Sequence, residues 1–203
     1  MDESALIQEA QRGNLDSFNT LVLTYQDRLF STALRITGDE NQAADATQEA
    51  FLSAFRAIKS FRGGSFKAWL LRTVTNACYD EMRRQKRRPT VPLEPETEGA
   101  EEMRSPRWIS DTSLKPEEKA ERNDLEDAIQ GCLDALPIEF RTVVVLADVQ
   151  SMDYKEVAAV VRVPLGTIKS RLARGRLRLR KCLQGFWELL PDAYRLEEES
   201  LST

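Results

Sequence analysis

Residues 153–181 have the sequence DYKEVAAVVRVPLGTIKSRLARGRLRLRK, which carries the clearest pattern of helix boundaries in the chain. Asp153 and Glu156 are spaced like a helix-capping pair, which indicates that a short helix begins here. Pro164 is placed to open a second helix, because the first turn needs no backbone N–H donor. The chain must turn between them, near Arg162–Val163. A short helix, a tight turn and a longer helix predict a helix-turn-helix.

The side chains of this stretch divide into an inner and an outer set. We expect the two helices to pack together through Ala158, Val161, Val163, Ile168 and Leu172. That packing leaves on outer faces Lys169, Ser170, Arg171, Arg174 and Arg178. An exposed arginine-rich helix fits the major groove of DNA, where arginine can form two hydrogen bonds with guanine. The alternative is a solvated basic helix without a ligand.

The charge distribution favours nucleic acid although the net charge is −4. Residues 83–88 read RRQKRR, and no acidic residue interrupts residues 162–181. Binding to phosphates depends on such local basic patches rather than on net charge.

The rest of the chain is also predicted to be helical. Phe18, Leu21, Tyr25 and Leu29 form an apolar stripe, and Asp39 after Gly38 is a candidate cap for a helix that runs to about Lys59. The predicted core of that helix comprises Ala43, Ala50, Phe51, Ala54, Phe55 and Ile58. After a break at Gly63 and Gly64, a third helix is expected over about residues 65–88.

These patterns predict an all-α protein of two small helical domains joined by a flexible linker. The first domain spans residues 1–88 and the second, with the helix-turn-helix, residues 123–185. Residues 89–122 are rich in proline and acids, which is typical of a linker without regular structure. Residues 186–203 form a tail that is either amphipathic or disordered.

Several kinds of chemistry are disfavoured by composition. The chain has no histidine and only three scattered cysteines, so we expect no zinc site, no cofactor and no histidine-based catalysis. Cys78, Cys132 and Cys182 are interpreted as buried apolar residues without a redox role. No apolar run of about 18 residues and no signal pattern occurs, so we expect a cytoplasmic protein that does not insert into membranes.

Two further segments carry candidate functional residues. In residues 63–88 the basic side chains could follow phosphates, while Phe66 and Trp69 could either stack on unpaired bases or belong to the core. In residues 41–61 Asp45, Gln48 and Glu49 share a polar helix face, which taken alone is that of an ordinary amphipathic helix.

Taken together, the segments resemble a known family. The order ADATQEAFLSAFRAIKSF, GGSFKAWLLRTVTNACYDEMRR, an acidic linker, LPIEFRTVVVL and VPLGTIKSRLARGRLRLRK is similar to that of the extracytoplasmic-function sigma factors of the sigma-70 family. The resemblance covers nearly the whole chain apart from the tail. It implies a first domain that binds the clamp helices of the RNA polymerase β′ subunit and recognises and melts the minus-ten promoter element. It implies a second domain that reads the minus-thirty-five element, no enzymatic activity, a role in stress responses and an anti-sigma partner.

The resemblance also implies roles for individual residues. The polymerase-contact positions are Asp45, Gln48 and Glu49, and Asn76 falls where a flipped minus-ten base is captured. The candidate minus-ten set is Phe66, Trp69, Asn76, Asp80, Arg83, Arg84 and Arg87. The candidate minus-thirty-five set is Thr167, Lys169, Ser170, Arg171, Ala173, Arg174 and Arg178.

Two other classes of protein stay open at this point. A repressor or activator could use the same helix-turn-helix and would usually dimerise on a palindrome. A helical nuclease would need a cluster of carboxylates for a metal, and the best candidate pair, Asp45 and Glu49 one helical turn apart, is too small a cluster.

Overall fold

The computed structural model describes residues 2–87 and 116–190, and within them every regular element is a helix. The expectation of an all-α fold is therefore confirmed for this part of the chain. Residues 88–115 of the expected first domain and linker, and 191–203 of the tail, lie outside the described residues.

The first half consists of α1 (Glu3–Gln11), α2 (Leu15–Thr37), α3 (Glu40–Ala57) and α4 (Phe66–Arg87). Local signals set their ends. Asn14 caps α2, Gly38 ends it with a φ of 76°, and the Asp39 carboxylate accepts from the Gln42 amide at 2.8 Å to cap α3. The predicted break between α2 and α3 is thus confirmed.

The core of this half contains the predicted stripe of Phe18, Leu21, Tyr25 and Leu29. The prediction that Phe55 of α3 belongs to the core was wrong, because its side chain is 43% exposed. Its ring meets Phe18 edge-on at the rim of the core, with centroids 5.1 Å apart, so only part of the side chain is covered.

The second half consists of α5 (Pro116–Asp134), α6 (Ile138–Val144), α7 (Tyr154–Val161) and α8 (Leu165–Leu183). Residues 116–122, expected in the linker, are instead the first turns of α5. A π-helical turn, Val145–Val149, extends α6, so the β-branched run after Arg141 is helical as expected. A 3₁₀ turn, Gln184–Leu189, follows α8.

Close helix packing supports α8 at Gly175. A Cβ at this position would lie 2.8 Å from Val144 Cγ2 and 3.5 Å from the Phe140 carbonyl oxygen. The missing side chain therefore lets α8 pack directly against α6. This close packing fixes the distance of α8, the second helix of the helix-turn-helix, from the core.

The cysteines depart from the expectation. Cys132 in α5 and Cys182 in α8 form a disulfide with Cα atoms 5.7 Å apart, so their interpretation as unlinked apolar residues was wrong. The two positions are 50 residues apart in sequence and meet only because the ends of α5 and α8 pack together. Cys78 is buried as expected, and burial raises the pKa of its thiol to about 12.

The two halves lie in direct contact. Helix α4 packs against α7, and α2 packs against α5 and α6, so that buried residues of both halves form one continuous hydrophobic core. The helix-turn-helix is therefore held against the first four helices.

Candidate nucleic-acid interface

The helix-turn-helix forms as the sequence predicts. The Asp153 carboxylate accepts from the amides of Lys155 and Glu156 at 2.7 and 2.8 Å, and the Glu156 carboxylate accepts from the Asp153 amide at 3.1 Å. This capping box begins α7. Arg162 ends it in the left-handed conformation with a φ of 56°, and α8 begins directly after Pro164. The turn is therefore tight and defined by backbone geometry.

Buried side chains fix the angle between α7 and α8. Ile168 and Leu172 of α8 are almost fully buried, as are Val157 and Val160 of α7. Neither valine was predicted as a packing residue, although their three-residue spacing was the available signal. The predicted packing residues Ala158, Val161 and Val163 are only partly buried and border the same core.

The outward face of α8 carries most of the candidate minus-thirty-five residues. Exposed side chains belong to Lys169, Ser170, Ala173, Arg174 and Arg178. Thr167 is half-buried, and its carbonyl accepts from the Ser170 hydroxyl at 2.9 Å. The Arg178 guanidinium lies over the Phe140 ring, 5.2 Å from its centroid. The aromatic ring thus holds Arg178 against the body of the protein.

Arg171 differs from its neighbours because it is half-buried and lies near α4. Burial raises the pKa of Tyr79 in α4, while the hydrogen bond to Thr142 and the positive charge of Arg171 oppose that rise. One predicted DNA-reading side chain therefore stands beside the first half of the protein.

Arg176 does not belong to the outward face and instead anchors α8 to the rest of the second half. It donates to both oxygens of Asp148, Nη2 to Oδ1 at 2.6 Å and Nε to Oδ2 at 3.0 Å. This fork-like pair raises the pKa of Arg176 and ties α8 to the turn after α6. No role was predicted for Arg176, since only the fold identifies its acidic partner.

A second candidate surface is a groove of about 600 Å³ between α3 and α4. It brings together residues that the sequence analysis assigned to different partners, the polymerase-contact positions on α3 and the minus-ten positions on α4. From the candidate sets the groove is lined by Asp45, Gln48, Glu49, Trp69, Asn76, Asp80 and Arg84. Arg72 and Thr73 also line it and were not predicted. Their spacing from Asn76, close to one helical turn, was the available signal.

Phe66 does not belong to this surface. It is 2% exposed and packs with Tyr25, Phe61 and Trp69, with ring centroids 5.4–5.8 Å apart. A buried ring cannot stack on a base, so its place in the minus-ten set was wrong. Trp69 is only partly buried and reaches the groove from the edge of the same cluster.

Ion pairs partly neutralise the basic end of α4. Arg84 Nη2 lies 2.6 Å from Glu81 Oε2 and 3.8 Å from Asp45 Oδ2, and Arg83 pairs with Asp80 at 3.2 Å. The pairs with Asp80 and Asp45 are exposed and each worth about 0–1 kcal/mol, so a phosphate can displace these two carboxylates at small cost, whereas the Glu81 side chain is only 11% exposed. Arg87 is also exposed.

Asn76 lies within α4, in the segment where the sequence predicts a helix. Its half-buried side chain lines the groove between Arg72 and Asp80, so an unpaired base would have to enter this groove to reach it.

Residues 2–87 and 116–190 contain neither a cluster of metal ligands nor a membrane-spanning helix. No group of three or more His, Cys, Asp or Glu side chains there could hold a metal ion. None of the helices in this part combines the length and the apolar character that a membrane span requires.

Comparison with known proteins gives matches over both halves. The family model "Sigma-70 region 2" matches residues 21–88, and "Sigma-70, region 4" matches residues 126–179. The ECF RNA polymerase sigma factor SigW of Bacillus subtilis is 33% identical over 179 residues, which cover 88% of this chain and 95% of that protein. The ECF RNA polymerase sigma factor SigE of Mycolicibacterium smegmatis is 36% identical over 171 residues, which cover 83% of this chain but only 62% of that longer protein.

One solved structure with the same fold is the sigma factor RpoE of Bartonella quintana in complex with the anti-sigma factor NepR. The TM-score is 0.62 at 24% identity, and the match covers 84% of this chain and 98% of that one. At this identity the likeness concerns the fold.

Proposed function

Because the chain belongs to the extracytoplasmic-function sigma factors of the sigma-70 family, we propose that the groove between α3 and α4 and the outward face of α8 are its polymerase and promoter contacts. The protein is an RNA polymerase sigma factor, which directs core polymerase to promoters and starts transcription there. The observation that carries the proposal is the exposed basic face of α8 within a complete helix-turn-helix.

We assign residues 1–88 to the region 2 domain, which binds the β′ clamp helices and opens the minus-ten element, and residues 123–185 to the region 4 domain. The tail from residue 186 has no assigned role. Since polymerase and promoter lie in the cytoplasm, we place the protein there. We assign it no catalytic activity of its own. The likeness to a sigma factor that binds an anti-sigma factor supports the proposal of such a partner here.

In the minus-thirty-five complex, α8 would enter the major groove. Its 19 residues span about 28 Å, enough to follow one groove segment. Arg174 is exposed near the middle of α8, where it can reach a base edge. Arg178 is held over Phe140, further along the helix, where a phosphate contact suits it better than readout.

Separate substitutions of these two arginines should have different effects. Arg174→Ala should cost about 1–3 kcal/mol of binding and relax one promoter position, because a base contact is lost. Arg178→Ala should weaken binding to all sequences alike and reduce the salt slope by about one unit, because a phosphate contact is lost. Binding of holoenzyme to promoter libraries at several salt concentrations measures both, and equal, sequence-independent losses would contradict the assignment of Arg174.

In the region 2 domain, we propose that Asp45, Gln48 and Glu49 on α3 contact polymerase, and that Trp69 and Asn76 on α4 receive an unstacked minus-ten base. The amide of Asn76 offers both a donor and an acceptor, as recognition of a base edge requires. Arg83, Arg84 and Arg87 would hold the neighbouring phosphates, while Asp80 restrains Arg83 until the strand arrives.

Asn76→Ala should lower open-complex formation by about five- to tenfold, the loss expected for one or two hydrogen bonds to the captured base. Polymerase binding and duplex minus-thirty-five binding should stay unchanged. The gain in open complex that a pre-opened bubble gives should also stay unchanged. Permanganate footprinting measures opening. Asn41→Ala, at an exposed position outside the groove, is the control. Normal opening of a closed promoter by the Asn76 variant would assign the residue a structural role.

The proposed function as a whole is tested by run-off transcription with purified core polymerase on genomic fragments. A sigma factor produces transcripts from a distinct set of promoters only when both proteins are present. Binding to DNA without transcription would favour a repressor instead.

A further inference from the structure

The two ends of helix α8 are held in place in different ways. The buried positions of α8 are Ile168, Leu172 and Gly175, so full burial stops about two turns before the helix ends. The last turn is instead tied to α5 by the disulfide between Cys182 and Cys132. The covalent bond therefore anchors the part of α8 that the core does not bury.

This end of α8 carries a cluster of positive charge. Arg178 lies one turn before Cys182, and Arg180 and Lys181 occupy the two positions before it. All three side chains are exposed. Because the disulfide restricts the movement of this turn, it also restricts the phosphate contact that we assign to Arg178.

A disulfide is unusual in the compartment where polymerase and promoter meet. Cellular reductants keep most cytoplasmic thiols reduced, and the disulfides that do form there are usually transient and serve catalysis or redox sensing. A bond between Cys132 and Cys182 in this compartment is therefore expected to form and break. Cys78 is buried with a raised pKa, so its thiol is a poor nucleophile toward this bond.

The two sulfur atoms of the bond differ in access. Cys132 is 1% exposed, whereas Cys182 is half-buried. Exchange begins when a thiolate attacks one sulfur atom of the disulfide, so Cys182 is the sulfur that an outside thiolate can reach. Its neighbours Arg178 and Lys181 are cations, and a partly exposed, electropositive surrounding is typical of reactive cysteines.

We propose that the bond between Cys132 and Cys182 is a reversible redox switch that sets the affinity of the region 4 domain for DNA, with the disulfide form as the tighter binder. This inference rests on the proposed function, because it regulates the phosphate contacts assigned to α8. The reaction partner is a protein dithiol of the thioredoxin class in the reducing direction, and a small disulfide such as oxidised glutathione in the oxidising direction.

The exchange is balanced in both directions. One thiolate of the dithiol attacks Cys182 Sγ, the Sγ–Sγ bond breaks, and Cys132 leaves as a thiolate that takes up a proton. The second thiol of the reductant then displaces Cys182 from the mixed disulfide. Two cysteine thiols of the sigma factor are formed and one disulfide of the reductant is made. A small disulfide reverses the exchange and is itself reduced to two thiols.

The test measures binding of the full chain to a minus-thirty-five duplex before and after reduction. The measurement is made at low temperature, where circular dichroism shows whether each form is folded. Reduction should weaken binding about three- to tenfold, because Arg178 and its neighbours must then be ordered when DNA binds. The loss should be the same on a duplex with an altered minus-thirty-five element, because phosphate contacts carry no sequence information.

The reciprocal effect gives a second readout. In glutathione buffers of graded composition, thiol titration measures the fraction of the chain in the disulfide form. A saturating duplex should shift this equilibrium toward the disulfide by the same factor by which reduction weakens binding.

Substitutions separate this bond from the other cysteine. Cys132→Ser and Cys182→Ser should bind DNA like the reduced wild-type chain and should not respond to reductant. Cys78→Ala is the matched control and should respond like the wild type, because Cys78 is outside the bond. If either serine variant does not fold, the reduced wild-type chain decides alone.

Three outcomes would overturn the switch. The first is equal affinity of the folded oxidised and reduced chains. The second is a bond that stays intact in the most reducing glutathione buffer. The third is a reduced chain that unfolds even at low temperature, because the bond would then be a permanent structural crosslink. Run-off transcription by the oxidised holoenzyme is scored separately: its absence would reject the proposed function, whereas thiol titration and duplex binding still decide the switch.

Discussion

Leu172→Ala is expected to lower the free energy of unfolding by about 2–5 kcal/mol, the usual cost when a large buried side chain leaves a cavity. Leu172 is 2% exposed and packs α8 onto α7 and α6. Because this packing sets the position of the proposed reading face of α8, minus-thirty-five binding should be lost together with stability. Urea denaturation followed by circular dichroism measures the first effect, and duplex binding at low temperature measures the second.

Leu177→Ala provides a matched control on the same helix, since Leu177 is 69% exposed. We expect its effect to stay within about 0.5 kcal/mol, as for other surface substitutions. If the two variants lost stability equally, the orientation of α8 described above would be incorrect.

Loss of the disulfide between Cys132 and Cys182 should have an effect of similar size. The bond closes a loop of 50 residues, for which chain entropy predicts a stabilisation of about 4 kcal/mol. A reductant should therefore lower the midpoint of thermal unfolding of the wild-type protein markedly. Cys132→Ser should begin at that lower midpoint.

The comparison that decides this prediction is the response of Cys132→Ser to the same reductant. The variant has only Cys78 and Cys182 left, and Cys78 is buried with a raised pKa, so no further change is expected. A wild-type protein that is insensitive to reductant, with thiol titration confirming that the bond was broken, would show that the crosslink adds nothing to stability.

Features that depend on neighbours in sequence could be predicted from the sequence. The helix-turn-helix followed from Asp153, Glu156 and Pro164, whose roles act within one turn of a helix. The break after α2 followed from Gly38 and Asp39 for the same reason. Membership of the sigma factor family followed from the order of several such segments and is confirmed.

Features that depend on contacts distant in sequence could not be predicted. Arg141 meets Ile36 across 105 positions, and neither residue carries a local signal of the other. The cysteine pair also lacked a recognisable spacing. Phe55 and Phe66 both fit helical apolar patterns, and only the crossing of the helices made one exposed and the other buried.

The candidate residues could be named from the sequence one by one, but the groove that several of them share could not be predicted. Asp45 and Arg84 are on different helices, and each had been assigned by resemblance to a different partner. The packing of α3 on α4 places both on one groove, so polymerase and melted DNA would meet the protein along adjoining edges.

The glycine at position 175 has a consequence for how this protein can diversify. Gly175, Ile168 and Leu172 fix the packing of α8 against the core. The outward-facing positions of α8 therefore contribute little to folding. On the proposed assignment of α8, promoter preference can therefore drift through exchanges at Lys169 or Arg174 without loss of the fold, whereas a side chain at Gly175 would crowd Val144. Within a collection of descendants, variation should accumulate on one side of this helix while the other side stays constant, so that new regulons arise on an unchanged scaffold.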